Sequence, residues 1–416
     1  MTTIKELVNR GCVEVFRRIS MKRLQKNQTF ETDWYDITNY VVTWPSITES
    51  FGDNTLLGDF KVASTSLVLD NSGQKFNDEN NQNSLFYKLY FRRLTKIKIE
   101  VGYIDDDNIE VEGLVFYGVF YGNTKASDKE TITIPTTGLL KVFDLFGAKG
   151  VAETSTTTQG MVSRLYGKTQ GGVDLLSKFF EGSSINPDAD TVVALTNASI
   201  GEDDTIWDKI QDYSIYNFFI PYVNNSGYFV WGNRTESATL DWEFNANNFT
   251  YKNDYPINVI SIDTIDDGIS NYYSKAVIEY SDGVYATSEI TWTPGGDSTV
   301  DQYGERIYAK TALDLTAAEA QLFADNIVNN TRASRNYEIT TPFIPTNIKS
   351  KVKLNAVGQE TREYKNCFRL GESKLNSGDY LQSRSGAIDI DDVFCKVIKI
   401  GYNINSLTIK YLMREI

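Results

Sequence analysis

Few side chains in this sequence have the spacing that chemistry requires, and the clearest cluster is a run of three aspartates. Asp105, Asp106 and Asp107 supply the oxygen ligands that Ca²⁺ prefers. They lack the alternating order that brings carboxylates to one point, so the run predicts a solvated hairpin turn. Asp70-Asn-Ser-Gly73 could also be a site or a turn, and its composition favours the turn.

Phosphate and sugar sites are poorly supported as well. Gly167-Lys168-Thr169 resembles the end of a phosphate-binding loop, but Val162 stands where the upstream glycine is required. Trp231, Trp242 and Trp292 could stack on sugars, although tryptophans in a β-rich chain more often pack in the core. With 55 acidic residues, carboxylate pairs are unavoidable, so pairing alone does not indicate a glycosidase.

The sequence contains no histidine, which removes Ser-His-Asp and Cys-His nucleophiles, His-ligated zinc and histidine bases together. Cys12, Cys367 and Cys395 show no C-x-x-C spacing, and they are interpreted as reduced thiols rather than as a Cys367–Cys395 bridge. We therefore predict that the chain has no catalytic residues, no cofactor-binding residues and no metal ligands. It is predicted not to be an enzyme and to use no cofactor.

Composition limits the remaining classes. A chain of 416 residues has room for two to four domains, 41% hydrophobic residues suffice for a packed core, and 13% aromatics favour strands. The net charge of −14 argues against wrapping duplex nucleic acid. No apolar run reaches the ~18 residues of a membrane span, and Met1–Arg10 lacks the apolar region of a signal peptide. We expect a soluble protein, assembled in the cytoplasm, with no stable membrane association.

The elements that would position these side chains are mainly short strands from residue 1 to residue 130. Residues 13–21 alternate in the manner of a strand, so the seven basic residues among the first 26 are interpreted as solvated strand residues rather than as a nucleic-acid or membrane arm. Later segments carry turn signals every 10 to 15 residues, which is typical of a sandwich or a barrel. Glycines at 113, 118 and 122 predict bulges or corners, and the polar loop 72–84 is predicted to project outwards.

From residue 131 to residue 255 the pattern indicates a smaller α+β region. "GLLKVFDLF", "GGVDLLSKFFEG" and "TIWDKIQDYSIYNFF" have apolar residues at helical spacing. Thr205 and Asp208 are spaced as a capping pair at the start of the last of these segments. Asn224–Gly227 separates two apolar stretches and predicts a hairpin turn.

Residues 256–416 are predicted to be β-rich again, with one helix near 316–330. Thr316 and Glu319 have the spacing of a capping box, and the following apolar stripe is Ala320, Phe323, Ala324, Ile327 and Val328. The chain closes with two alternating strands, of which the last is predicted to present one apolar face made by Leu407, Ile409, Tyr411 and Met413. The sequence is thus predicted to be mainly β, in the α+β class.

The order of these segments resembles that of bacteriophage baseplate hub and tail-tip hub proteins, which also occur in related phage-like injection machines. "DITNYVVTW" followed by "FKVASTSLVLDNSGQKF", and then "KIKIEVGY" and "GLVFYGVFYG", look like the strands of the family's first barrel. Residues 303–345 are similar to its alanine-rich helix, which crosses between strands of a second barrel. "DVFCKVIKIGYNINSLTIKYLMREI" resembles its terminal hairpin. About half of the chain is covered.

The resemblance implies two tail-tube-like β-barrel domains, residues 1–130 and 256–416, separated by an inserted domain, residues 131–255. It also implies a homotrimeric ring in the virion that joins the tail tube and distal tail proteins to tip or fibre proteins. DNA would pass through the lumen without specific binding, and an acidic or neutral wall would keep it from adhering.

Three other functions remain open from the sequence. A distal tail ring protein would share the architecture but form a plain hexamer. A carbohydrate-binding tail receptor protein would present a surface row of Trp and Tyr in a groove. A glycosidase without histidine would need two carboxylates about 5 to 10 Å apart in a cleft.

Overall fold

The computed structural model describes most of the chain. The described residues are 14–50, 62–122, 125–126, 130–149, 151, 153–170, 173–185, 193–198, 200, 203–217, 219–224, 226–232, 243–245, 256–258, 261–266, 272–291, 293, 299–331, 336–342, 367–370 and 393–415. None of the helices in these ranges has the length and apolarity needed to cross a membrane.

The first part of the chain is built from nine strands and a short 3₁₀ turn at Thr38–Tyr40. The strands are β1 (Glu14–Gln25), β2 (Tyr35–Asp36), β3 (Val41–Thr43), β4 (Ser46–Ser50), β5 (Ser64–Asp70), β6 (Tyr90–Ile104), β7 (Glu110–Phe120), β8 (Lys125–Ala126) and β9 (Thr131–Gly138). Ile19, Met21, Ile97 and Ile99 alternate with charged neighbours along β1 and β6, and all four are fully buried. This alternation gives the sheet one core face and one charged face.

The middle part combines helices with short strands. It contains 3₁₀ turns at Leu139–Leu145 and Ser177–Phe179, helices at Thr158–Tyr166 and Ile206–Asn217, and the strands β10 (Glu153–Thr157), β11 (Thr169–Gln170), β12 (Val173–Asp174), β13 (Gly182–Ile185), β14 (Ala194–Ala198), β15 (Ile220–Val223) and β16 (Tyr228–Gly232). The predicted capping pair is confirmed, because the Thr205 N–H donates to Asp208 Oδ2 at 2.9 Å and the Asp208 N–H donates to Thr205 Oγ1 at 3.1 Å.

The last part returns to strands around two helices. These are β17 (Glu243–Asn245), β18 (Pro256–Asn258), β19 (Ser261–Asp266), β20 (Lys275–Ser281), β21 (Val284–Glu289), a short helix Thr299–Tyr303, β22 (Ile307–Thr311), the helix Ala317–Asn330, β23 (Asn336–Pro342), β24 (Cys367–Leu370), β25 (Val393–Asn403) and β26 (Thr408–Glu415). The predicted helix is confirmed, with the Glu319 N–H donating to Thr316 Oγ1 at 3.2 Å and its apolar stripe buried.

One sheet joins the two ends of the chain. Its antiparallel path runs β2-β1-β6-β7-β9-β5-β4 through the first part and continues β25-β26-β23-β19 through the last. At the junction, Ile47 of β4 pairs with Tyr402 of β25, and both side chains are fully buried. The chain is therefore mainly β, as predicted. A division into two barrels stays a prediction.

A second core lies beside this sheet and crosses residue 255. Phe143 is at its centre, with ring centroids 5.4 Å from Phe180, 6.4 Å from Trp207 and 5.0 Å from Phe229. The same cluster includes side chains of β20 and of the helix Ala317–Asn330. The boundaries at 130 and 255 stay predictions, and the packed core is continuous across the second of them.

The three glycines of β7 serve three different purposes. Val101 pairs with Leu114 and Gly102 with Glu112, which leaves Gly113 as the extra residue of a β-bulge. A Cβ atom on Gly118 would lie 2.6 Å from the Thr137 carbonyl oxygen, so the strands could not approach as they do. Gly122 turns the chain at a φ of +93°. The prediction of bulges or corners is confirmed for this strand.

Two sequence predictions are wrong in this region. "GGVDLLSKFFEG" forms only the strand β12 and a three-residue 3₁₀ turn, because Asp174 Oδ1 accepts the N–H groups of Leu176 at 3.0 Å and Ser177 at 2.9 Å. Leu407 is not part of the last strand, since it has a φ of +53° in the turn before β26. Ile409 and Tyr411 are fully buried, as predicted.

Candidate functional site

The aspartate run lies in the turn between β6 and β7, as the sequence predicts. Asp105 Oδ1 accepts the N–H groups of Asp107 at 3.0 Å and Ile109 at 2.8 Å, and Asn108 has a φ of +59°. The carboxylate that would bind a cation is thus used to close the turn. Within the described ranges, no group of three or more His, Cys, Asp or Glu side chains could hold a metal ion.

The other two candidate motifs are also structural. Asp70 Oδ1 accepts the Ser72 N–H at 2.9 Å, and the turn that follows is closed by a backbone hydrogen bond from Gln74 to Asn71 at 2.7 Å. Lys168 donates from Nζ to the carbonyl oxygens of Gly147 and Lys149, at 2.6 Å each. Its ammonium group therefore ties two chain segments together.

None of the tryptophans among the described residues is exposed, which offers no stacking row for sugars. Trp231 is fully buried and donates from Nε1 to Ser214 Oγ at 2.9 Å, so its interpretation as a core residue is confirmed. Trp34 is half-buried beneath the Nζ atoms of Lys22 and Lys98, at 5.8 and 5.5 Å from the ring centroid. Trp242 and Trp292 lie outside the residues whose side chains are described.

The face of β1 and β6 opposite the core is charged. The register pairs Arg18 with Glu100 and Lys22 with Lys96, and it places Lys98 between these pairs on the same face. Lys98 Nζ lies 2.9 Å from Glu100 Oε1. We call these five residues the charged face.

Arg23 extends this pattern of paired cations at the end of β1. Its Nε and Nη2 donate to the two oxygens of Glu31 at 2.8 and 2.5 Å, its Nη1 donates to the Leu85 carbonyl at 2.5 Å, and its guanidinium lies 4.0 Å from the Tyr90 ring centroid. Burial of Glu31 opposes its ionisation, but the hydrogen bond and charge of Arg23 hold the pKa of that carboxyl below its usual value. One side chain thus ties together three segments.

Lys96 connects the charged face to the second core. Its side chain is only 4% exposed, and Nζ lies 3.1 Å from Glu181 Oε1 at the start of β13. Burial lowers the pKa of Lys96, and the charge of Glu181 partly offsets this effect. Phe30 packs edge-on against Phe179 beside this pair, with ring centroids 5.3 Å apart.

The arrangement neutralises cations rather than offering them to a ligand. Arg18 forms a forked pair with Glu110 at 2.6 and 2.7 Å, and Lys96, Lys98 and Arg23 each have a carboxylate partner. A phosphate would have to displace these carboxylates before it could bind. The charged face is therefore suited to packing and to weak interaction with anions.

An acidic network joins the helix Ile206–Asn217 to the segment after β22. Tyr216 donates from its hydroxyl to Asp314 Oδ1 at 3.2 Å, and Lys310 Nζ donates to Asp212 Oδ1 at 2.7 Å. Burial raises the pKa of Asp314 above its usual value of 3.8, and nearby Lys209 partly offsets the effect. The Asp314 carboxylate is thus poorly compensated where it lies.

Replacing Asp314 by asparagine is expected to stabilise the protein at neutral pH. Because the folded-state pKa lies above the unfolded one, ionisation of Asp314 lowers stability as pH rises through the window that starts near 3.8. Asparagine keeps an oxygen that accepts from Tyr216 and removes that loss. Urea unfolding of both proteins from pH 3 to pH 7 measures it.

The matched control for this variant is Asp212→Asn. It removes a carboxylate paired with Lys310, so it is expected to lower stability at pH 7. Equal stability of Asp314→Asn and the unchanged protein at pH 7, with the same pH dependence, would contradict the assignment.

Sequence reasoning missed how the polar loop after β5 is held. Phe76 and Phe86 are fully buried, with Phe76 packed against Tyr40 at 5.2 Å and Phe86 against Phe120 at 6.5 Å. The loop 72–84 therefore packs on the sheet, and the prediction that it projects outwards is wrong. The signal was the pair of phenylalanines at either end of a polar stretch.

Comparison with known proteins supports the fold. No family model and no curated protein sequence matches the chain. The solved tail protein from Neisseria meningitidis MC58 is similar, with 9% identity, a TM-score of 0.51 and 96% of each chain covered. A chain of the half-lidded PdpA–VgrG complex of Francisella is similar at 11% identity and a TM-score of 0.50, over 97% of this chain and 58% of that one.

At these identities the similarity concerns the fold alone. It confirms the resemblance to phage tail and baseplate hub proteins at that level. This chain spans little more than half of the longer Francisella chain. What the larger protein binds does not extend to this one without further argument.

Proposed function

We propose that this protein is the structural hub of a phage tail tip or baseplate, and that it has no enzymatic role. The observation that carries the proposal is the single sheet to which both ends of the chain contribute, within the fold of a tail protein. A hub of this kind needs two β units at a fixed relative position. Direct pairing of β4 with β25 fixes them more tightly than a linker would.

The proposed assembly is a ring of three chains in the virion. If residues 1–130 and 256–416 each act as one tube-like barrel, three chains fill six positions and match a six-fold tail tube above a three-fold tip. Its partners would be tail tube and distal tail proteins on one side and tip or fibre proteins on the other. The protein would be assembled in the host cytoplasm.

DNA would pass through the ring without binding to it. The net charge of −14 and the paired cations of the charged face support a wall that repels or ignores phosphates. This part of the proposal needs no specific contact between protein and DNA.

The purified chain is expected to form a trimer. Three chains of 47.0 kDa give a particle of about 141 kDa, and averaged negative-stain images should have three-fold symmetry. Native mass measurement together with these images tests both expectations. Six identical chains in a ring would move the protein to the distal tail class, and a single chain at every concentration would contradict the hub.

A further inference from the structure

The strand β22 has one unused edge in the part of the chain that the structure describes. It pairs only with β20, in parallel, and the sheet β21-β20-β22 ends there. The Lys275 N–H donates to the Arg306 carbonyl at 3.1 Å, and the Ala312 N–H donates to the Glu279 carbonyl at 2.7 Å. Because backbone groups alternate in direction along a strand, those of Ile307, Ala309 and Thr311 point away from β20.

The surroundings of this edge are apolar and exposed. The side chains of Ile307, Ala309 and Thr311 are all exposed, and Ile307 keeps 54% of its surface in solvent. Seven of the twelve large exposed hydrophobic residues in the described ranges lie between positions 284 and 322. An open edge beside so much exposed apolar surface is typical of a surface that another chain covers.

The charge of this region indicates a basic partner. Residues 272–331 contain nine acidic and three basic residues, which accounts for −6 of the net charge of −14. Glu289 and Glu305 lie near the end of the edge that begins at Ile307, and both side chains are more than half exposed. An incoming strand that carries cations would meet a favourable potential here.

The chain itself has a basic strand with an open edge. The Ile37 N–H donates to the Ile19 carbonyl at 2.8 Å, and the Gln25 N–H donates to the Thr29 carbonyl at 2.8 Å, so the odd-numbered residues of β1 point away from β6. No described strand lies beside Val15 and Arg17 on that side. Strand β1 carries four basic residues against one acidic residue.

We propose that the β1 edge of one copy pairs with the β22 edge of the next copy. The two surfaces differ, so the contact is head-to-tail, and a head-to-tail contact closes into a ring when its rotation permits. The contact adds backbone hydrogen bonds at Val15 and Arg17 to those at Ile307, Ala309 and Thr311. It rests on the proposed ring and names the strands that close it.

Ala309→Pro tests the contact without touching the β20 ladder. The Ala309 N–H points to the open edge, where proline is tolerated, and its ring blocks an incoming strand. The dissociation constant of the ring, measured by sedimentation of the full chain, is expected to rise at least about tenfold. Ala309→Ser keeps the N–H at the same exposed position and is expected to leave association unchanged.

A charge exchange tests the same contact in chains that keep every backbone N–H. Arg17→Glu and Glu305→Arg are each expected to weaken the ring, and chains that carry both changes are expected to regain association. A ring unaffected by Ala309→Pro and by both single reversals would overturn the contact while leaving the proposed hub intact. An unchanged chain that never associates would overturn the hub, and this contact with it.

Discussion

Replacing Gly102 by alanine is expected to lower the free energy of unfolding by about 3 kcal/mol. A Cβ atom there would lie 2.2 Å from the Val111 carbonyl oxygen and 2.4 Å from the ring of Phe16. Phe16 is itself buried and pairs with Gly102 across the β1–β6 ladder. Both neighbours are held by the sheet, so neither can move without breaking hydrogen bonds. Urea unfolding followed by tryptophan fluorescence measures the loss.

Gly401→Ala is the matched control for this variant. Gly401 also lies within a long paired strand, but a Cβ atom there would meet its nearest neighbour at 3.8 Å, an ordinary contact. Alanine restricts the unfolded chain more than glycine does, so this change is expected to be neutral or to stabilise by up to ~1 kcal/mol. Equal losses for the two variants would mean that close packing at Gly102 is not the cause.

Arg23→Ala is expected to cost about 3 kcal/mol, since it leaves the carboxylate of Glu31 buried without its cation. The pair is well shielded, with 19% of the Arg23 side chain and 18% of the Glu31 side chain exposed. The change also removes the donor to the Leu85 carbonyl and the cation over Tyr90. Chemical denaturation at pH 7 gives the difference directly.

Arg18→Ala is the control, because Arg18 forms the same forked pair with Glu110 on the same strand. There the two side chains are 34% and 41% exposed, and an exposed pair of this kind is worth about 0.5 kcal/mol. Arg23→Lys should recover little, since an ammonium group cannot reach Glu31 and Leu85 in the fork geometry. Similar losses at positions 18 and 23 would refute the role of burial.

Local structure was the part of this fold that could be predicted from sequence. The helix Ala317–Asn330, the turn at Asp105 and the capping pair of Thr205 and Asp208 are confirmed, because each depends on residues close together in the chain. The helix Thr158–Tyr166 was missed, since its apolar stripe is short. Pairing of β4 with β25 was not predictable either, because no local pattern specifies which distant edge a strand joins.

The candidate surfaces were less predictable than the fold. The basic residues of β1 were correctly interpreted as strand residues, but their carboxylate partners come from elsewhere, such as Glu110 and Glu181. Sequence gives the sign of each charge and not the distance between them. The open edge of β22 depends on which strands pair, so it became visible only with the sheet order.

The pairing of β4 with β25 also sets the order in which the chain can fold. Ile47 is among the first residues to leave the ribosome, and its partner Tyr402 is among the last. The edge of β4 that β25 covers therefore stays unpaired throughout synthesis of the chain between them. Contacts between such distant residues close slowly and only after translation is nearly complete. A truncated chain that ends before β25 cannot complete this sheet, which ties completion of the sheet to completion of the polypeptide.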